Sequence, residues 1–324
     1  MNNPESEKVP KKYLNQICAL YGVKTEELAY VGGIENFVYS YQKDNQDFFL
    51  RIGHSKHMTF DLVQAELDWV SYLVDKGVPA VKPIESVNER ILEKVITDDG
   101  YLNIVAFEKA IGEHLDNGNP QNWSDEIIKD YGRIVGKMHA LSKDYKAKEA
   151  KRYQFKPSLD INWLLKGEDR EVINRITKLF QETESLPKDE EAYGLVHGDL
   201  HIGNFFVKNN RITALLDFDR TCYKWFVSEI AVALYYPLYH TPLNQSRNAQ
   251  EEFVKEFLHL FMKGYEEENT LDSMWMKKLI VFIQVRDAIL FMYLPQEMEH
   301  FKKNHRLRIL GEEPYIDVQK IAGY

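Results

Sequence analysis

Two features are scarce in this chain of 324 residues: it has only two cysteines, Cys18 and Cys222, and no excess of basic charge. The cysteines lie far apart with no C-x-x-C spacing, so neither a disulfide framework nor a thiolate metal site is expected, and a reducing cytoplasm suits the composition. Acidic residues outnumber basic ones, 50 to 41, for a formal net charge of −9. A general nucleic-acid binder needs the opposite balance to displace condensed counterions, so no nucleic-acid partner is expected. Long apolar runs are missing too. IAVALYYPLY is short, and LIVFIQVRDAILFMYL is interrupted by Arg286 and Asp287, which are costly at a bilayer centre, so both read as buried helices and no membrane association is expected. The opening MNNPESEKVPKK lacks the apolar core of a secretory signal, and export is not expected. Internal repeats and low-complexity tracts are absent.

What is present is an ordinary globular composition, 44% hydrophobic and 28% charged, in a chain longer than a usual single domain. Two lobes are expected. Leu14, Ile17, Cys18 and Tyr21 fall at helical spacing before Gly22, which reads as a short opening helix with a glycine stop. FVYSYQ and DFFLRI, joined by the turn-forming KDNQ, read as a β-hairpin. Val63, Leu67, Val70 and Val74 then mark a helix of roughly five turns, closed by Gly77 and Pro79, with Glu66 beside the apolar stripe and Asp68 pointing away. VKPIES, RILEKVI and YLNIVAF read as further strands of the same small sheet. Strand signals then thin out, placing a lobe boundary between Phe107 and Gly112, with an N-terminal lobe over 1–108 and a C-terminal lobe over 109–324. The second lobe reads as helical. Ile127, Tyr131, Ile134, Val135 and Met138 fall on one face of a helix in which Gly132 and Gly136 allow close packing. The exception is LVHGDLHIGNFFVKNNRITALLDFD, where FFV and ITALL joined by KNNR predict a hairpin among helices.

Polar clusters flank that hairpin. HGDLHIGN places Asp199 five residues before Asn204, and Asp217 follows the return strand, the spacing of a kinase catalytic loop followed by a metal-binding aspartate. Phosphoryl transfer explains the residue types: Mg²⁺ takes hard oxygen ligands, here the Asp217 carboxylate and the Asn204 amide oxygen, and a carboxylate such as Asp199 orients and deprotonates the acceptor hydroxyl. Singly, Asp, Asn and Gly beside strands are ordinary turn residues; the ordered set is what points to chemistry. His197 reads as a core histidine that braces the loop.

HGDLHIGN followed by LLDFD resembles the signature of the aminoglycoside phosphotransferase, choline kinase and type II homoserine kinase superfamily, and is similar to bacterial stress-response kinases of that fold. The resemblance spans most of the chain. It implies an α+β, protein-kinase-like fold: a small N-terminal lobe of antiparallel sheet plus helix, and a larger, mainly helical C-terminal lobe holding the catalytic hairpin. It also implies ATP and Mg²⁺ as cofactors. GGIENFVYSYQ resembles the nucleotide-covering hairpin, which implicates Gly32, Gly33 and Asn36; FFLRI resembles the phosphate-contacting strand and AELDWVSYL the helix of the bracing glutamate. By carry-over Arg51 contacts phosphates, Glu66 pairs with it, and the adenine meets backbone near Val105 to Phe107. Three positions depart from the pattern: Arg51 replaces lysine, Asp219 stands where protein kinases have the glycine of D-F-G and is a further metal-shell carboxylate, and Glu229 in SEIAV replaces an aspartate.

The implied acceptor is a small molecule, with amines such as aminoglycosides, choline or homoserine fitting the family and a protein serine or threonine as the alternative. Candidate acceptor-binding residues are Tyr235, Tyr236, Tyr239, His240, Arg286 and Asp287. Three other readings use the same residues. ITALLDFDRT matches the D-x-D-x-T of haloacid-dehalogenase-type phosphatases, with Asp217 as nucleophile and Asp219 as general acid, although no downstream acidic pair follows. His197, Asp199 and His201 form an H-x-D-x-H pattern suited to zinc. A non-catalytic nucleotide-binding pseudokinase is the third.

Overall fold

The computed structural model describes residues 9–33, 35–115, 123–148, 150–159, 161–239, 246–294 and 298–323. The chain divides into two compact units: the first holds the residues up to Gly112 together with Lys146–Arg152 and Thr213–Asp219, and the second holds the remainder. Among the described residues no helix is long and apolar enough to cross a membrane.

The first unit begins with α1 (Lys11–Tyr21), which ends at Gly22 in the left-handed conformation, φ 67°. A glycine is favoured there because a Cβ would be strained. Next come β1 (Ala29–Gly32), β2 (Asn36–Lys43), β3 (Gln46–His54), α2 (Phe60–Asp75), β4 (Pro83–Ile84), β5 (Leu92–Thr97) and β6 (Gly100–Glu108). The sheet runs β1-β2-β3-β6, and the far edge of β6 is shared by β4, opposite Ala106 and Phe107, and β5, opposite Gly100 to Val105. The β2–β3 turn places Asp44 and Asn45 at φ 52° and 61°, the positive values a two-residue hairpin turn demands.

Strand alternation sorts the two faces of this sheet. Leu50, Ile52, Ile104 and Ala106 point to one side, where Tyr13, Ile17 and Tyr21 of α1 complete a core. Val105 and Leu92 point to the other, where Val63 and Leu67 of α2 cover them. Arg51, between Leu50 and Ile52, is thereby sent to the α2 face. Thr59 caps α2 by accepting the Leu62 N–H.

The second unit contains β7 (Glu113–His114), α3 (Asp125–Asp144), α4 (Ile161–Leu164), α5 (Arg170–Glu184), β8 (Tyr193–Val196), β9 (Phe205–Lys208), β10 (Arg211–Leu215), whose last three residues belong to the first unit, β11 (Cys222–Trp225), α6 (Phe226–Tyr239), α7 (Arg247–Tyr265), α8 (Ser273–Met276), α9 (Leu279–Tyr293), α10 (Glu299–Leu310) and α11 (Val318–Ala322). The anticipated hairpin is β9–β10, turned by Asn209 and Asn210 at φ 52° and 57°. Two further pieces of β structure were not anticipated: β7 adds a short strand beside β9, and β8 pairs antiparallel with β11. β7 has only two residues, and β8 finds its partner beyond the β9–β10 hairpin, so no local turn signal links either pair.

Glycines set the contact between α3 and α7. A Cβ on Gly132 would lie 1.9 Å from the Phe261 carbonyl oxygen, one on Gly264 1.9 Å from that of Lys129, and one on Gly136 2.5 Å from that of Tyr265. The two backbones touch where side chains would hold them apart.

Candidate active site

The anticipated site residues fall in both units. In the first, the Arg51 guanidinium lies 2.7 Å from Glu66 Oε1, with Glu66 1% exposed. Helical phase explains the meeting, since Glu66 stands one turn from both Val63 and Val70 on the buried side of α2. Arg51 also lies over the Phe107 ring at 5.4 Å. Burial on its own would lower the Arg51 pKa, but Glu66, reinforced by Asp219 and Asp217, outweighs it and raises it. Val105, enclosed by register partners Arg51 and Leu92, lies inside the sheet.

Gly32 and Gly33 adopt φ 150° and 131° ahead of β2, and a Cβ on Gly33 would strike the Asn36 carbonyl oxygen at 1.7 Å. Asn36 donates from Nδ2 to Asp219 Oδ2 at 3.5 Å. Asp219 is buried, whereas Asp217 is exposed and takes φ 58°, an uncommon conformation for a non-glycine residue that is enriched at functional positions. Arg152 had no sequence signal, sitting in the charge-rich KAKEAKRY. It is buried and donates to the Leu62 carbonyl at 2.8 Å and to the carbonyl of Asp219, tying α2 to the D-F-D segment.

In the second unit the HGDLHIGN loop is held from several sides. Asn204 Nδ2 donates to the Asp199 carbonyl at 2.9 Å, which leaves the amide oxygen of Asn204 for another partner. Tyr131 donates its hydroxyl to the Leu200 carbonyl. His197 is fully buried, and its Nδ1 accepts the Asp199 N–H at 3.4 Å. Glu229 accepts the Gly198 N–H at 2.8 Å through Oε1, and through Oε2 the His197 N–H at 3.4 Å and His139 Nε2–H at 3.2 Å. His139 in turn accepts the Tyr265 hydroxyl on Nδ1 at 2.9 Å.

Burial lowers the His139 pKa against the pull of Glu229, so the ring is neutral near pH 7. Burial would raise that of Glu229, but the His139 hydrogen bond and its neighbours lower it, so the carboxylate is charged. A neutral imidazole with its proton on Nε2 satisfies both contacts. His139 escaped sequence reasoning, although a histidine one turn beyond Val135 on an apolar helical stripe was a usable signal.

Arg286 of α9 donates through Nη2 to Asp199 Oδ1 and to the Tyr236 hydroxyl, and its guanidinium lies 5.1 Å from the centre of the Tyr236 ring. Tyr236 stacks on His201 at 4.4 Å. Tyr235 and Asp287 join a separate buried network: Asp287 accepts from Tyr235, from Arg308 at 2.6 Å and from Tyr315 at 2.9 Å, with His305 Nδ1 at 2.9 Å. Tyr239 lies at its edge, donating no bond to Asp287 but accepting the Ile316 N–H at 3.4 Å. His240 lies outside the described residues.

Among the described residues no group of three or more His, Cys, Asp or Glu side chains could cage a metal ion, so the H-x-D-x-H pattern does not assemble a zinc site. Within the first unit, exposed Asp217 and buried Asp219 offer hard oxygen donors of the kind a divalent cation takes.

A protein-kinase-like phosphotransferase is what the antiparallel sheet, the helical second unit and this loop define. The pattern of the phosphotransferase enzyme family matches residues 27–271, and the chain belongs to that family. It is an enzyme of the kinase class, which sets aside the dehalogenase-type phosphatase reading. Amicoumacin kinase of Bacillus subtilis (strain 168) is 31% identical over 319 residues, covering 97% of this chain and 90% of its own. Homoserine kinase of Parvibaculum lavamentivorans is 24% identical over 70% of this chain and 69% of its own. Among solved structures, amicoumacin kinase hAmiN in complex with AMP-PNP, Ca²⁺ and Ami superposes with a TM-score of 0.87 at 25% identity, covering 98% of both chains. The microcompartment-associated aminopropanol kinase, with a TM-score of 0.71 at 18% identity over 93% of this chain and 95% of its own, shares the fold.

Proposed function

We propose that this protein transfers the γ-phosphoryl group of ATP to a hydroxyl of a small, amine-bearing acceptor, and that amicoumacin is the first acceptor to test. The observation that carries the reading is the braced loop in which Asp199 keeps a partly exposed carboxylate, 24% accessible, beside an Asn204 whose amide oxygen is unspent. The likeness to amicoumacin kinase over nearly the whole chain supports the acceptor class.

Asp199 is the base: it orients the acceptor hydroxyl and takes its proton as the oxygen attacks phosphorus. Arg51, held by Glu66, contacts the phosphates, with Gly32, Gly33 and Asn36 covering them. By the resemblance to the family's motif, Asp217, Asp219 and the Asn204 amide oxygen would hold a divalent cation, with Mg²⁺ the expected ion, and that ion would neutralise charge developing on the phosphoryl oxygens. His197 holds the loop and leaves proton transfer to Asp199.

The test combines a thermal-shift titration with Mg-ATP on wild type and Asp217→Ala with a phosphoryl-transfer assay on amicoumacin. At ~100-fold Kd the wild type gains about 2.7 kcal/mol, a shift of several degrees. Asp217→Ala loses that shift, and Asp199→Asn keeps it while turnover falls at least ~100-fold. Near-wild-type turnover in Asp199→Asn sinks the assignment of the base. Transfer to a protein serine but not to amicoumacin sinks the acceptor class.

A further inference from the structure

We propose that Arg286 is a positioning residue that fixes which oxygen of Asp199 receives the acceptor proton, an inference that rests on the phosphotransferase reading above. Arg286 and Asp287 are neighbours and the charged residues of the mostly apolar α9, LIVFIQVRDAILFMY, and helical geometry sends them to different sides. Asp287 is completely buried and surrounded by Tyr235, His305, Arg308 and Tyr315, as expected of a carboxylate that stabilises the fold. Arg286 is arranged otherwise. One nitrogen, Nη2, serves both Asp199 Oδ1 and the Tyr236 hydroxyl, while the buried Nε has no partner among the described residues. A guanidinium placed for stability alone would spend its fork of donors more fully. This one gives up a hydrogen bond to reach the base.

The rest of the device acts on the same loop. Tyr236, held by Arg286 from above its ring and at its hydroxyl, stacks on His201, and His201 Nδ1 accepts the Gly203 N–H at 3.0 Å. His201 Nε2 lies 3.8 Å from Asp199 Oδ2. Residues 199 and 201 are thus gripped together by side chains from α6 and α9. With Oδ1 committed to Arg286, Oδ2 is the oxygen left to accept the hydroxyl proton. The clamp removes rotation about the carboxylate and presents one oxygen in one direction, which is where placement errors of about 1 Å cost on the order of 100-fold in rate.

The experiment compares wild type, Arg286→Met, Arg286→Lys and Tyr236→Phe, following ADP formation from Mg-ATP with amicoumacin and, separately, with water as acceptor. Arg286→Met should lower kcat by ~10- to 100-fold, leave the KM for ATP within about twofold and keep the Mg-ATP thermal shift, with added guanidinium ion restoring turnover severalfold. Arg286→Lys, which keeps a cation but not the fork, should fall between the two, and remains informative if the methionine variant does not fold. A kcat for both Arg286 variants within about twofold of wild type overturns the clamp, and so does a loss confined to the acceptor KM, which would make Arg286 an acceptor-binding group. A wild type that forms no ADP by either route overturns the phosphotransferase reading and the clamp with it.

Discussion

Glu229 accepts the backbone N–H of Gly198 at 2.8 Å, so a helix side chain 31 residues downstream fixes the residue preceding the proposed base. Gly198 has φ 86° and its Cα faces the Arg220 carbonyl oxygen, which a Cβ would approach to 2.3 Å. The longer side chain in SEIAV therefore does bracing work from α6 that an aspartate would do from closer in. Glu229→Gln keeps one carbonyl acceptor but turns an amide NH₂ toward donors on His197 and His139. Even if His139 shifts its proton to Nδ1 and accepts the new N–H, the buried His197 N–H is left unpaired, and the variant should lose about 1–3 kcal/mol, read as a lower urea midpoint at unchanged m-value. An unchanged midpoint would remove Glu229 from the brace.

His201 gives the protein a predictable acid sensitivity. Burial pushes its pKa down to about 4 from 6.5, opposed by Asp199 and assisted by Arg286 and His197. Between those two values the unfolded chain binds a proton that the folded chain refuses, so stability rises with pH across the window. The contribution is complete above about pH 6.5 and lost as pH falls toward 4, amounting to roughly 3 kcal/mol. His201→Asn retains an acceptor for the Gly203 N–H but cannot titrate. The difference in urea midpoint between pH 7 and pH 4.5 should shrink in that variant; an equal difference in both proteins would place the acid sensitivity elsewhere.

Most of the first unit was legible because its signals are local. The α1 stripe with Gly22, the β2–β3 turn and the phase of Glu66 each follow from residues within two turns or one hairpin. The loop motif could be read for a different reason: one tight turn separates Asp199 from Asn204 and one short hairpin separates Asn204 from Asp217, so local elements fix the spacing. What could not be read were partnerships across large separations. His139 meets Glu229 at a separation of 90 residues, and Arg286 meets Asp199 at 87. No periodicity links such pairs, so Arg286 stood out only as a charge in an apolar helix, beside an Asp287 that serves another network. The β8–β11 pair was hidden likewise, each strand being four residues long with its partner beyond the β9–β10 hairpin.

The glycine contact between α3 and α7 should be intolerant of the smallest addition. In an exposed helix, Gly→Ala gains about 1 kcal/mol of propensity. At Gly132 or Gly264 the new methyl meets a backbone oxygen at 1.9 Å, and the helices must part. Overpacking of this kind costs about 1–3 kcal/mol, so the net sign reverses. Separation also strains the link from Tyr265 to His139 and hence the Glu229 brace, so Gly264→Ala should lower turnover as well as the urea midpoint. A stabilised Gly264→Ala protein would show that the helices are not in backbone contact.

Arg51 and Glu66 separate stability from function most cleanly. Removing one partner of a buried ion pair strands the other charge, so Glu66→Ala should destabilise by about 3–5 kcal/mol. Replacing both by apolar side chains of similar length, Arg51→Met with Glu66→Met, removes the stranded charge and should restore most of that loss. A pair that served only the fold would then be fully replaced. If Arg51 is the phosphate contact, the double variant should melt close to wild type in the absence of nucleotide yet show no thermal shift with Mg-ATP. A near-wild-type shift in that protein would move the phosphate contact to another residue of the first unit, with Arg51 left as a strut between β3 and α2.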